Sequence, residues 1–343
     1  MKTGIVYDLR FARHKMGAGH IESPDRILTL KKVVEEALDA HALLIQPRPA
    51  TEEEISLIHL SSYISYLKET STHGHTVFDP DTIAGPDTYE IACLAAGAGL
   101  TAAELIISDK IDNAFALVRP PGHHAESAKP MGFCFFNNIA ISAEFLRREK
   151  GFRKIMIVDW DLHHGNGTQK AFYDTPEVLF ISLHQSPLFP GTGTMREVGE
   201  KKGAGFNLNI PLKPGKNDAD YLFIFQEIIQ PLADLYQPDF LLASVGFDVL
   251  SGDPLGKMEL TPEGCGDLTQ VLMKIAGKWA ANRLILFLEG GYNLTRLRSG
   301  VAETIKRLKG KIKPDLPPPT CSEALERELS PFYPILKKYW GYP

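Results

Sequence analysis

Short runs of apolar residues alternate along the chain with longer amphipathic or alanine-rich stretches. The apolar runs predict strands over residues 4–7, 42–46, 114–118, 154–158, 178–183, 207–210, 240–245 and 284–288. The longer stretches predict helices over residues 27–38, 88–108, 138–150, 218–236, 261–281 and 297–309, with Asp218 and Thr261 as plausible N-caps. Several strands are apolar at every position, as expected when both faces of a parallel sheet are covered. The alternation therefore predicts one parallel sheet with helices on both faces.

The length of 343 residues allows two domains but also fits one large α/β domain. The clearest compositional break is the proline-rich stretch 313–320. The segment beyond this stretch is too short to bury a core of its own. We therefore expect a single domain over residues 1–343, with residues 313–343 forming a short C-terminal helix that packs back on it.

Composition removes several classes of partner. The formal net charge of −5 gives no global positive field for nucleic acid. The four cysteines form no C-x-x-C pair, which disfavours a cysteine zinc site. The first residues predict a strand rather than a signal peptide, and we expect no apolar run of membrane-spanning length. These features favour a soluble, cytoplasmic protein with reduced thiols and without nucleic-acid or membrane partners.

Polar side chains come directly after five of the predicted strands, at the point where each strand ends. In open parallel sheets, ligands bind beyond these carboxyl ends. Five such endings on one edge are hard to explain by capping or turn roles alone, so they indicate a functional site. The groups are His123 and His124, then Asp159, Asp161 and His163, then His184, then Asp248, and finally Glu289 and Tyr292.

The spacing of Asp159, Asp161 and His163 points to a metal. Side chains at i, i+2 and i+4 share one face of an extended segment. Carboxylates that are buried together need a cation or a proton between them. With Asp248, the set offers an imidazole and two carboxylates, and three protein ligands leave a position open for water or substrate. The same ligands suit manganese or ferrous iron, and the motif alone could also be a turn capped by aspartates.

The tandem His123 and His124 come after a tight Pro-Pro-Gly turn. They could be one packed and one solvent-facing ring, or a general base and an electrostatic stabiliser beside a metal. Asp159 and Asn166 are candidate partners for the second ring nitrogens.

Three aromatic side chains lie in glycine-rich loops. Tyr292 could donate to a developing oxyanion or could simply cover a turn. Phe133 and Phe189 could pack in the core or form the walls of a slot.

Six sequence blocks contain most of these residues: RPPGHH (119–124), GFCFFNN (132–138), VDWDLHHGNGT (158–168), FPGTG (189–193), GFDVLSGDPL (246–255) and EGGYN (289–293). Together they resemble the histone deacetylase superfamily, which also includes acetylpolyamine amidohydrolases and bacterial deacetylase-like amidohydrolases. The order and spacing match from near residue 20 to near residue 295, and the tail is similar to bacterial class II-like members. The resemblance implies the arginase/deacetylase fold, a single domain with about eight parallel strands.

The resemblance also implies residue roles. The zinc ligands, for one ion per chain, are Asp161, His163 and Asp248. The catalytic set is His123, His124 and Tyr292, with Asp159 paired to His123 and Asn166 to His124. The tunnel walls are Gly132, Phe133, Phe189 and Leu255, with Asp81 as a loosely aligned rim aspartate. A potassium site would use Asp159, Asp161, His163, Ser182 and Leu183.

Two of these positions carry further meaning. Class I members have aspartate at the Asn166 position, so His124 would be held less strongly as an imidazolium here. Tyr292 is replaced by histidine in some vertebrate class II members that have lost deacetylase activity, so its presence argues for an active enzyme.

The predicted activity is metal-assisted hydrolysis of the amide of an acylated amine, such as Nε-acetyl-lysine in a protein or peptide. An acetylpolyamine is the alternative substrate. A binuclear manganese ureohydrolase would need further aspartate ligands, and residue 165 is glycine. A non-catalytic acyl-lysine binding module is disfavoured by Tyr292 and the intact ligand set. The acyl group and the amine depend on loops near residues 15–25 and 70–87, and an oligomer is possible.

Overall fold

The structure, a computed structural model, describes residues 1–311, 313 and 315–342. Pro314 and Pro343, which belong to the predicted C-terminal segment, lie outside the described residues. The strands are β1 (Thr3–Val6), β2 (Ala42–Ile45), β3 (Thr76–Asp79), β4 (Thr82–Ala84), β5 (Asn113–Ala116), β6 (Ile155–Asp159), β7 (Val178–Gln185), β8 (Asn207–Leu212), β9 (Phe240–Val245) and β10 (Leu284–Leu288).

Helices pack on both faces of the main sheet, and two further helices form the C-terminal part of the chain. They are α1 (Asp25–Leu28), α2 (Lys31–Ala37), α3 (Glu52–Ile55), α4 (Ser61–Thr70), α5 (Thr88–Ile107), α6 (Asn138–Arg148), α7 (Asn166–Phe172), α8 (Asp218–Ile224), α9 (Gln230–Tyr236), α10 (Pro262–Trp279), α11 (Leu294–Leu308), α12 (Glu323–Leu329) and α13 (Tyr333–Trp340).

Eight strands form one sheet in the order β2-β1-β5-β10-β9-β6-β7-β8, and each pairing is parallel. The central strands β5, β10, β9 and β6 are buried at every position, which explains their apolar sequences. The predicted fold class is confirmed. The bounds of β9 and β10 agree with the prediction, whereas β7 extends to Gln185 and β8 to Leu212.

Two predicted helices are divided in the structure. Residues 27–38 form the short helices α1 and α2, and a π-helical turn over Phe225–Ile229 separates α8 from α9. The N-cap of α8 is Asn217, because its side chain accepts from the amides of Ala219 and Asp220. Asp218 instead accepts from the amide and hydroxyl of Thr261, which is the N-cap of α10. The expected capping role was therefore wrong for Asp218 and right for Thr261.

Helix α5 corrects one expectation about composition. By length and apolar character it could cross a membrane, although no run of that kind was expected. Its most apolar window is 72% buried inside the protein. A Cβ on Gly97 would meet the carbonyl oxygen of Arg48 at 1.9 Å, and one on Gly99 would meet Ser142 Oγ at 2.2 Å. This close packing is typical of a core helix.

The C-terminal helices α12 and α13 contact the rest of the chain. Ser322 Oγ donates to Asp220 Oδ1 at 3.0 Å, and Lys216 Nζ lies 2.9 Å from Glu328 Oε1. Trp340 Nε1 donates to the carbonyl of Gly205 at 2.9 Å. Leu325, Leu329, Phe332 and Leu336 are buried. These contacts lie near β8, the edge strand of the sheet.

Candidate active site

The site lies where the loops after β5, β6, β9 and β10 meet. Asp159, the last residue of β6, is opposite Ser244 of β9, and Val245 is opposite Leu288 of β10. Because this register aligns the ends of the three strands, the loops beyond them begin at one level of the sheet edge.

Asp161, His163 and Asp248 converge there, with one ligand atom from each within 4.8 Å of the others. His163 Nδ1 is 3.2 Å from Asp161 Oδ1 and 3.3 Å from Asp248 Oδ2. The other carboxylate oxygens accept from backbone amides, Asp161 Oδ2 from Gly290 at 2.8 Å and Asp248 Oδ1 from Leu162 at 3.1 Å. Backbone groups therefore orient both carboxylates toward His163.

The donor set fits a divalent cation. Asp248 Oδ2 is buried and, within the described residues, makes no hydrogen bond of good geometry although His163 Nδ1 is nearby. Burial, followed by the charge of Asp161, raises the pKa of Asp248 to about 6. Burial opposes protonation of His163, but the two carboxylates outweigh it and raise its pKa to about 9. A cation would relieve this crowding of carboxylates.

The metal prediction assumed that Asp159, Asp161 and His163 share one face of an extended segment, and this assumption was wrong. β6 ends at Asp159, so Asp161 and His163 lie in the bend beyond it rather than on a strand face. Asp159 stands apart from the three-residue group and contacts His123 instead. The bend, rather than the two-residue repeat, brings Asp161 and His163 together.

Each tandem histidine has a partner for its Nδ1 atom. His123 Nδ1 lies 3.0 Å from Asp159 Oδ2, and His124 Nδ1 lies 2.8 Å from Asn166 Oδ1. Both side chains are buried, and their ring centroids are 4.0 Å apart. His123 Nε2 is 3.7 Å from Asp161 Oδ1, so the pair borders the three-residue group.

The two rings have opposite electrostatic surroundings. Burial disfavours the charged form of His123, but the carboxylates of Asp159 and Asp161 raise its pKa to about 10. Burial and the neighbouring rings of His123 and His163 hold the pKa of His124 well below its usual range. Such separation of neighbouring pKa values suits a pair that divides proton transfer from charge stabilisation.

Glu289, to which sequence reasoning gave no role, joins the loop after β10 to the loop after β5 and to strand β9. Its Oε2 accepts from the amides of Gly122 at 2.7 Å and His123 at 3.2 Å, and its Oε1 accepts from Ser244 Oγ at 2.9 Å. The carboxyl group is fully buried, and burial raises its pKa to about 7. Its position immediately after β10 was visible in the sequence, but its partners in the loop after β5 and on strand β9 were not.

Tyr292 is held through its loop. Asp253 Oδ2 accepts from the amides of Tyr292 at 2.7 Å and Asn293 at 3.0 Å, and Asp253 Oδ1 accepts from Leu255 at 3.0 Å. One aspartate thus couples the tyrosine to the segment that carries Leu255.

A buried arginine also contacts the loop that carries Tyr292. Arg26 Nε donates to the carbonyl of Gly291 at 2.8 Å, and the guanidinium lies 4.9 Å from the ring of Tyr292. Glu22 pairs with Arg26 at 3.2 Å and with Arg119 at 2.6 Å, and all three side chains are fully buried. Sequence reasoning missed Glu22 and Arg26, since separate charged residues ordinarily predict exposed positions.

A cavity of about 650 Å³ leads from the surface to this group. The rings of Phe133 and Tyr292 are 5.8 Å apart, and Phe189 lies 5.1 Å from the ring of His124. A Cβ on Gly132 would meet the ring of His124 at 2.4 Å, so only glycine fits there. The structure therefore places the predicted wall residues Gly132, Phe133, Phe189 and Leu255 around one cavity.

The mouth of the cavity is formed by two loops that sequence reasoning singled out without a structural account. Gly19 and His20 come from the first, and Asp79 and Asp81 come from the β3–β4 hairpin. His20 Nε2 contacts the carbonyl of Asp81 at 3.1 Å, which joins the two loops.

Of the residues named for potassium, Ser182 lies opposite Asp159 in the β6–β7 ladder, and both are fully buried. Ser182 Oγ is 3.0 Å from His184 Nδ1. Leu183, the next residue of β7, is also buried.

Comparison with known proteins defines the class. A family model described as "Histone deacetylase domain" matches residues 20–308. The chain is 38% identical over 297 residues to a "Probable deacetylase" of Archaeoglobus fulgidus, covering 86% of this chain and 82% of that protein. It is 38% identical over 323 residues to "Polyamine deacetylase HDAC10" of Homo sapiens, covering 89% of this chain and 47% of that protein.

Among solved structures, the chain is similar to that titled "Crystal Structure of HDA15 HD domain". The TM-score is 0.91 with 36% identity, and the match covers 99% of this chain and 95% of that one.

The fold, the buried site and these matches define a hydrolase that acts on amide bonds. The chain belongs to the histone deacetylase family. The family resemblance inferred from the six sequence blocks is thereby confirmed, whereas the suggested bacterial origin stays a prediction.

Proposed function

We propose that the protein is a zinc-dependent deacylase that hydrolyses the amide of an acylated lysine side chain in a protein or peptide. The observation that carries the proposal is the convergence of Asp161, His163 and Asp248 at the base of a cavity whose walls carry His123, His124 and Tyr292. A metal-binding group, proton-transfer groups and a hydroxyl donor thus face one narrow space.

Zinc held by Asp161, His163 and Asp248 would supply a Lewis acid that polarises the amide carbonyl and lowers the pKa of water. His124, kept neutral by its buried position, accepts a proton from the attacking water and returns it to the leaving nitrogen. His123, kept protonated beside Asp159, contributes positive charge. The Tyr292 hydroxyl donates to the developing oxyanion.

The cavity walls favour a linear substrate. Phe133, Phe189 and Leu255 offer apolar surface on which the methylene groups of a lysine side chain can pack. A potassium ion beside the site, held through Asp159, Asp161, His163, Ser182 and Leu183, belongs to the same proposal.

An acetylpolyamine is the second candidate substrate. Asp79 and Asp81 line the mouth, where they would attract a further ammonium group of a polyamine. One relative is named a polyamine deacetylase. The binuclear manganese alternative is weaker, because the described part of the chain brings together one group of three such ligands around Asp161.

The test is an activity panel of acyl-lysine peptides and acetylpolyamines with the purified protein. The protein is first treated with chelator, and zinc, ferrous iron or manganese is then added back. We expect loss and zinc-dependent recovery of acyl-lysine hydrolysis. Turnover restricted to acetylpolyamines would transfer the proposal to the second candidate. Binding without turnover under every metal condition would leave an acyl-lysine binding module.

A further inference from the structure

A second cavity, of about 740 Å³, borders the first. The two cavities share Leu188 and Phe189. On the far side, the second cavity is lined by the loop up to Arg196 and by Pro331 and Ile335 near the C-terminus. The loop that carries Phe189 therefore separates two concave surfaces.

Phe189 forms the boundary between them. Its ring meets His124 edge-on within the first cavity, yet 44% of the residue remains exposed. A lysine side chain inserted beside Phe189 would leave its backbone above this ring. Because an extended chain advances about 3.3 Å per residue, the next two or three residues on that side would lie over the second cavity.

The charges on the two sides of Phe189 differ. At the mouth of the first cavity, Asp79 and Asp81 provide two carboxylates beside Lys129. Within the part of the chain that the structure describes, Arg196 is the one lining residue of the second cavity with a permanently charged side chain, and neither an ion pair nor a hydrogen bond engages its exposed guanidinium.

The other polar groups of the second cavity are neutral. They include Gln185, Ser186 and Thr194. His184 lines the same cavity but is buried, and burial lowers its pKa to about 3. Arg196 is therefore the charged side chain that lines the cavity, where it favours an anionic group. The neighbouring carboxylate of Glu197 is already engaged by the amides of Gly193 and Thr194.

We propose that the second cavity is a subsite for the peptide segment that flanks the acylated lysine, and that Arg196 selects a segment carrying aspartate or glutamate. The inference rests on the proposed deacylase function and deepens it, because it makes the substrate a peptide with a defined charge pattern. The apolar part of the lining, including Leu188, Pro211 and Ile335, would contact the aliphatic part of the same segment.

The experiment compares acetyl-lysine peptides that carry glutamate, glutamine or lysine at each of the three positions before and after the acylated residue. A single capped acetyl-lysine, which cannot reach the second cavity, is the reference substrate. The proteins are the wild type, Arg196→Gln and Arg196→Glu. Lys202→Glu is the matched control, because Lys202 is also exposed and lies outside both cavity linings.

We expect the wild type to prefer glutamate over lysine on one side of the acylated residue by about fivefold in kcat/KM, as for a partly exposed charge pair. Arg196→Gln should abolish the preference and Arg196→Glu should reverse it, with unchanged kcat/KM for the single residue. Lys202→Glu should behave as the wild type, and high salt should weaken the preference.

Hydrolysis of every peptide without a charge preference, or a preference that survives in Arg196→Glu, would overturn the subsite while leaving the deacylase function intact. Failure of the wild type to hydrolyse the single acetyl-lysine and all peptides would overturn the proposed function itself.

Discussion

The base and the mouth of the first cavity differ in how their polar groups are held. At the base, Asp161, Asp248 and Glu289 are buried, and each carboxylate accepts hydrogen bonds from backbone amides of other loops. At the mouth, the Asp81 side chain is exposed, and the mouth loops meet through a contact to its main-chain carbonyl. The base is therefore built for fixed geometry, which proton transfer requires, whereas the mouth can vary without disturbing it.

Removing a metal-binding group at the base should have the largest effect. For Asp248→Ala we expect loss of bound metal and a fall in deacylase activity of at least about 1000-fold, since Lewis-acid stabilisation is worth several kcal/mol. Metal content by elemental analysis and kcat/KM on acetyl-lysine are the measurements. Full metal occupancy in the variant would show that Asp248 is not a ligand.

The tyrosine hydroxyl should come next. Tyr292→Phe should lower kcat by about 100- to 1000-fold with little change in KM, as for loss of one oxyanion donor. Its metal content should match that of the wild type, which separates this effect from the previous one. Near-normal turnover would exclude the role proposed for the hydroxyl.

Glu289 tests whether the base depends on its buried hydrogen bonds. Glu289→Ala leaves the amides of Gly122 and His123 without their acceptor, so we expect a loss of about 2–4 kcal/mol in the free energy of unfolding. Glu289→Gln keeps an acceptor oxygen and should lose less than half as much. Urea unfolding measures both, and equal losses would show that the charge, not the acceptor geometry, matters.

The buried His59, which contacts the N-cap of α6, should make the stability of the protein depend on pH. Its Nε2 accepts from the amide of Asn137, the N-cap of α6, and burial lowers its pKa to about 4. Because the unfolded chain binds this proton near pH 6.5, the stabilising contribution is present above that pH and is lost as the pH falls toward 4. We expect His59 to account for about 2 kcal/mol of lost stability at pH 5.

The control is His59→Gln, whose side-chain oxygen can accept from Asn137 without titrating. The free energy of unfolding should fall less steeply between pH 7 and pH 5 in this variant. Identical slopes in the two proteins would contradict the assignment.

The mouth should give the smallest effects. Asp79→Asn and Asp81→Asn should change KM by less than about fivefold for an acetyl-lysine peptide and leave kcat unchanged, because charges at or near the surface interact weakly. A larger loss for a cationic acetylpolyamine in steady-state assays would favour the second candidate substrate. A large fall in kcat would contradict the division between base and mouth.

The buried elements could be predicted from the sequence, whereas the partly buried elements at the cavity mouth could not. β9 and β10 were located to the residue because each is a largely apolar run that ends at a polar or glycine residue. The hairpin β3–β4 was missed, since it is only partly buried and Val77 is 66% exposed. Its short strands lack the apolar repeat that signals a buried element.

Individual site residues obey a similar rule. Residues within dense motifs, such as His123 and Asp161, were identified because several chemical groups lie close together in the sequence. Glu22 and Arg119 were not recognised as an ion pair because 97 positions separate them, although Arg119 itself begins the block RPPGHH. Such pairing depends on the folded arrangement of loops.

The order of strands has a consequence for how the chain is made. β10, the last strand in sequence, lies between β5 and β9 at the centre of the sheet. Until residue 288 has been synthesised and inserted, the inner edges of β5 and β9 have no hydrogen-bonding partner, and the loops that carry His123 and Asp248 are not yet brought together. Such distant pairings slow folding and expose apolar edges to aggregation. A chain shortened before β10 should therefore form neither a stable sheet nor a metal site, and a nascent chain would need protection until its last strand emerges.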